Sequence, residues 1–139
     1  MELNKAIRTG YFTALKNVIS APIYDAFAIP EQVNYPYVLI SSQTNLPRIV
    51  KRCKVYDATV TVDIVTASKD PKGKAESENI AEEIEDIITP NTYTDINIEA
   101  YGYKIGDTIK INDNYINQKN DVYYVVRKII TFKHIISKL

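Results

Sequence analysis

Val55-Tyr56-Asp57-Ala58-Thr59-Val60-Thr61-Val62-Asp63-Ile64-Val65-Thr66 alternates side-chain character with a period of two. Tyr56, Ala58, Val60, Val62 and Ile64 point one way, whereas Asp57, Thr59, Thr61 and Asp63 point the other. That period is a β-strand with one face on a core and one face in water. A half-buried strand of this length needs partners on both sides and a layer over its apolar face, so the flanking segments are read for both.

Upstream, Tyr37 to Gln43 is a second strand whose apolar run fits a buried centre, with Pro36 at its start where a missing donor does no harm. Ile23 to Phe27 is a short strand, and Pro30 to Tyr35 a loop. Leu3, Ile7, Tyr11, Leu15 and Val18 recur every three to four residues, predicting an amphipathic helix over about residues 2 to 19 that ends before Pro22. Gly10 inside it costs roughly 1 kcal/mol relative to alanine and is read as a weak point rather than a close approach. Downstream, Ser68 to Gly73 is a polar turn, and Ala75, Ile80, Ile84 and Ile87/Ile88 give helical spacing over about 74 to 88, ending near Pro90. Within 91 to 118, Ile96 to Tyr103 and Thr108 to Ile111 read as short strands and Asn112-Asp113-Asn114 as a turn. Asp121 to Ile136 is a long strand with Val122, Tyr124, Val126, Ile130, Phe132 and Ile136 on one face. Lys128 and His134 interrupt that face, and a bulge near Arg127-Lys128 accounts for the break.

The order α-β-β-β-α-β(β)-β, without helical crossovers between most strands, predicts an α+β domain: two helices packed on one face of a mainly antiparallel β-sheet. The expected core contains Ile7, Leu15, Val38, Ile40, Val60, Val62, Ile80, Ile84, Val126 and Ile130. A length of 139 residues without a Gly/Ser/Pro-rich tract fits a single domain, 1–139.

Composition narrows the function classes. Hydrophobic residues at 45% and charged ones at 24% are globular values. With 17 basic and 17 acidic side chains the net charge is zero, so no overall field recruits nucleic acid or anionic lipid. Residues 1 to 5 lack a basic start followed by an apolar run, and the longest uninterrupted apolar stretch is five residues, Val122 to Val126. Neither a signal peptide nor a membrane span is expected. Cys53 is the only cysteine, which excludes an internal disulfide and fits a reducing cytosol; between Arg52 and Lys54 it is read as a strand-edge residue, not a reactive thiol.

Chemistry-bearing constellations are sparse. The single histidine, His134, lies near the end of a strand, and no Ser or Cys sits in a strand-turn-helix elbow. Gly102-Tyr-Lys-Ile-Gly106 lacks the spacing and the Lys-Ser/Thr of a phosphate loop. No catalytic, cofactor-binding or metal-ligating residue is assigned. Two surface patches remain. Arg48, Lys51, Arg52 and Lys54 form a basic cluster between the second and third strands, and Glu76, Glu78, Glu82, Glu83, Glu85 and Asp86 put six acids and no base on the second helix. Both patches serve as ordinary solvated surface, or else one meets the other on a neighbouring copy. The latter contact is heterologous and generates a ring or a filament.

The leading helix, the strand ending in Tyr24-Asp25, the Tyr35-Pro36-Tyr37-Val38-Leu39-Ile40 strand, the alternating strand, the helix with Ile80-Ala81-Glu82-Glu83-Ile84 and the aromatic-rich last strand follow one another in a recognisable order. Over essentially the whole chain this order resembles the tail-terminator (tail-completion) proteins of long-tailed bacteriophages. The resemblance implies a small α+β subunit that forms a hexameric ring, caps the tail tube and joins it to the head connector in the virion neck. It implies no cofactor and no enzyme activity. The implied partners are further copies of itself, the tail tube protein and the head connector protein, with DNA passing through the lumen without specific binding. Such a chain is made in the host bacterial cytoplasm and contacts no membrane. Tyr35, Pro36 and Tyr37 match the family's aromatic-proline-aromatic strand start, a structural feature. Ser41-Ser42 stands where the family often has glycine, and 91 to 118 is longer and more polar, which keeps another head-tail connector ring as the alternative. A single-stranded nucleic-acid-binding module is the other alternative, using the tyrosines of the last strand and the basic cluster; it lacks the aromatic run of an RNA-recognition motif.

Overall fold

A computed structural model describes residues 1–50, 52–70 and 74–139, with Ile49 and Val50 described by backbone alone. It shows an α+β fold in the order α1 (Leu3–Leu15), β1 (Ile23–Asp25), β2 (Tyr37–Val50), β3 (Cys53–Ser68), α2 (Ala75–Ile88), β4 (Tyr103–Lys119) and β5 (Tyr124–Lys138). The five strands form one sheet in the order β1-β2-β3-β5-β4. β1 runs parallel to β2 over three residues, and the other pairings are antiparallel.

The alternating strand occupies the middle of the sheet, as its pattern requires. Ala58, Val60, Val62 and Ile64 are fully buried beneath the helices beside Ile130, Phe132 and Ile136 of β5. Above them lie Ala6, Ile7, Tyr11 and Leu15 of α1 and Ile80, Ala81, Ile84 and Ile88 of α2. Each large aliphatic chain in that layer contributes about 1.5–3 kcal/mol by leaving water. α1 is fixed over β2 by polar contacts as well. Gln43 Nε2 donates to the Asn4 carbonyl at 2.9 Å, Arg8 donates to Gln43 Oε1 at 3.1 Å, and Asn45 donates to Asn4 Oδ1 at 2.9 Å.

Several boundaries differ from the sequence reading for definite reasons. α1 stops at Leu15 because Asn17 takes a left-handed φ of 65°, a conformation asparagine tolerates at a helix end. Val18 is therefore 63% exposed, and Ile19 enters the core instead. Gly10 is a site of close approach: a Cβ there would lie 2.7 Å from Ile98 Cγ2 and 3.0 Å from Ile96 Cγ2. β2 continues beyond Gln43 through Val50, with a bulge between Ile40 and Ser42. Its Pro47 is tolerated because β1 pairs only with residues 38 to 40 and leaves that edge open.

The largest correction falls on 91 to 118. Residues 96 to 102 are an irregular connection ending in a 3-10 turn, Glu99–Tyr101, and the expected strand there is absent. The Asn112-Asp113-Asn114 stretch is the middle of the 17-residue β4, not a turn. β5 has no bulge near Arg127-Lys128; its register with β3 is continuous, and the bulges sit in β4, at 105–108 and 110–112. Lys128 and His134 therefore remain on the core-facing side of β5. Val126, expected in the core, is only partly buried and lines an open cleft with Ala75 and Asn79 of α2. No helix among the described residues is long and apolar enough to cross a membrane.

Candidate functional site: two surface patches and three internal polar clusters

The basic patch sits at the tip of the β2–β3 hairpin. Arg52 occupies the turn with φ 74°, and Lys54 is exposed beside it. Arg48 is committed locally, since its Nε donates to Asp57 Oδ2 at 2.9 Å and its Nη2 lies 2.8 Å from Oδ1. The hydrogen bond to Asp57 raises the Arg48 pKa, and the same bond lowers that of Asp57. Lys51 lies outside the described residues.

The acids of α2 divide in two. Glu83 reaches back to the end of the first connection, accepting from the Ser20 amide at 2.6 Å and the Ser20 hydroxyl at 2.5 Å. Glu85 pairs with Lys110 of β4 at 2.7 Å. Glu76, Glu78, Glu82 and Asp86 are exposed, and among the described residues none of them has an ion-pair partner. Two of the six predicted acids thus hold the fold together, and four face outward.

Among the described residues the basic and acidic patches do not meet within one molecule. Lys110, bonded to Glu85, stands across from Phe132, which itself stands across from Val60. Cys53, the first residue of β3, lies seven positions further along the strand from Val60. At about 3.3 Å per residue that is roughly 23 Å, far beyond an ion-pair distance. α2 begins beside Thr66 to Ser68, so its earlier acids lie further still from the arm.

Three internal clusters escaped the sequence reading. His134, fully buried, shares a 2.5 Å hydrogen bond with the Tyr11 hydroxyl through Nε2 and a 2.8 Å bond with the Thr108 hydroxyl through Nδ1. Burial drives its pKa down to about 4 and pushes Tyr11 well above its usual value. Both rings are neutral near pH 7, and each imidazole nitrogen is occupied, so His134 is a satisfied core residue sealed from substrate. Lys128, 6% exposed, bonds Asp113 at 2.7 Å and the Tyr115 hydroxyl at 3.0 Å. Desolvation opposes its charge, but those two bonds outweigh it and leave its pKa raised.

On the opposite face Asp63 is 1% exposed and accepts from Arg127, with an Nε–Oδ2 distance of 3.1 Å. Around this pair Tyr35 packs against Tyr37 and Tyr123, with ring centroids 5.6 Å apart in both cases. Tyr35, Tyr37 and Arg127 border a cleft of about 410 Å³ lined as well by Leu39, Val65 and Val125. The face expected to be wet is therefore closed at this end. The signal was present in Tyr35-Pro36-Tyr37 and in the charge at position 127, but alternation alone does not pair residues 64 positions apart.

Among the described residues no three His, Cys, Asp or Glu side chains converge as metal ligands would. Cys53 is exposed and unbridged. Compared with models of known protein families and with curated proteins, the sequence matches no family model and no curated relative.

Proposed function

We propose that this chain is a structural subunit of a ring at the head-tail junction of a tailed bacteriophage, capping the tail tube and joining it to the head connector. The observation that carries the reading is the order of elements, with both helices on one side of a mainly antiparallel sheet, which is the architecture the tail-terminator resemblance implies. Two further features support it. The chain carries opposite charges on surfaces that cannot reach each other inside one molecule, as a head-to-tail subunit contact requires. Its zero net charge suits a conduit that must release DNA and not retain it. The sealed environment of His134 fits a scaffold and offers no general base to a substrate.

The test is tube growth. Tail tube protein from the genome that encodes this chain is polymerised with and without it, and tube lengths are measured by electron microscopy. Tubes that stop short with an added ring at one end are the expected result. Unchanged lengths with no chain at either end would contradict the terminator role, and a ring bound instead to the head connector would favour the adjacent connector position.

A further inference from the structure

The strand edges show how such a ring is not built. β4, the outer strand, carries exposed Lys104, Asp107 and Lys119 and two bulges, and the open part of β2's edge carries Pro47. Charges, bulges and proline are the devices that stop one sheet from extending into the next. Contact between copies therefore falls to side chains, and the hairpin arm and the outer face of α2 are exposed and carry opposite charge.

Each surface carries a local cost, and on the acidic one an opposite charge from a partner would relieve it. Arg52 holds φ 74°, where glycine or asparagine is the usual residue and another L residue is disfavoured by roughly 1–2 kcal/mol. A basic side chain is thus kept at the tip against its backbone preference. On α2, Glu78, Glu82 and Asp86 stand four residues apart and form one exposed stripe of like charge. Like charges at that spacing repel one another, and Asp86 lies in the last turn, at the negative end of the helix dipole, with no basic residue in that turn.

We propose that the β2–β3 arm of one molecule docks on the acidic stripe of α2 of a second copy, bringing Arg52 and Lys54 against Glu78, Glu82 and Asp86. The contact joins different surfaces on the two copies, so repeating it closes a ring when the rotation between neighbours divides a full turn and otherwise grows a filament. This rests on the reading of the chain as a self-assembling subunit, and it names the surfaces through which copies join. Glu83 and Glu85 take no part, because Ser20 and Lys110 already hold them.

The experiment uses two variants of the full chain, Arg52→Glu/Lys54→Glu and Glu78→Lys/Glu82→Lys. All four positions are exposed, and circular dichroism checks that each variant folds. In sedimentation velocity at low salt, each variant alone should need about tenfold more protein to assemble, since exposed pairs are individually weak and two are reversed. Mixed in equal amounts, the two should co-assemble to the wild-type size, because every acidic arm then faces a basic helix and every basic arm an acidic one. A merely structural defect would not be rescued by mixing. Variants that assemble as well as wild type, or a mixture no better than its components, overturn the docking while a wild-type ring leaves the ring reading standing. A wild-type chain that stays monomeric at every concentration removes both.

Discussion

Gly10 separates helix propensity from packing. Alanine would gain roughly 1 kcal/mol of helix propensity, but its methyl group would press on the branch methyl of Ile98, itself 1% exposed, and overpacking a core costs about 1–3 kcal/mol. Gly10→Ala should therefore lower stability by about 1 kcal/mol in urea denaturation; a gain would mean that the Ile96–Ile98 connection yields. His134 gives a pH signature. In the folded chain it titrates at about 4, against 6.5 as the ordinary value, so the unfolded chain binds more protons between those limits. Stability is then present above pH 6.5 and falls as the solution is acidified toward pH 4. Asp57 and Asp113, whose carboxyls are shifted downward from 3.8, add losses only below that window. His134→Gln should abolish the slope between 6.5 and 4 in a series of denaturation curves, and an unchanged slope would place its source elsewhere. Arg127→Met should cost about 3 kcal/mol by stranding the buried Asp63 carboxylate, with part recovered in Asp63→Asn/Arg127→Met.

Strands and helices were legible where a single period ran uninterrupted. β3 showed its core face outright, and Val60→Asp, which places a charge at a fully buried position, should unfold the domain; a folded and soluble variant would refute the assignment of faces. β4 was illegible because two bulges break its period and most of its side chains face water, so Asn112-Asp113-Asn114 carried turn-like composition in an edge strand. β5 misled in the opposite sense. Its period is intact, but two positions of the core face hold Lys128 and His134, which are polar and nonetheless buried because Asp113, Tyr115, Tyr11 and Thr108 satisfy them. Those partners come from β4 and α1, and a pattern along one strand cannot reveal them. The candidate patches were legible as charge runs, whereas the commitment of Arg48, Glu83 and Glu85 to Asp57, Ser20 and Lys110 needed the fold.

Across the whole molecule, two long hairpins extend from a core that both helices cover from one side, and the opposite sheet face is covered by neither helix. The edges are blunted and the charges are separated, an arrangement that favours association of defined register over strand-to-strand growth. Whether the proposed association closes on itself is read from native mass spectrometry of the purified wild-type chain. Ring closure predicts one closed oligomer of fixed copy number that dissociates as salt is raised. A chain that remains a monomer across the accessible concentrations, or that grows into filaments of indefinite length, would contradict it.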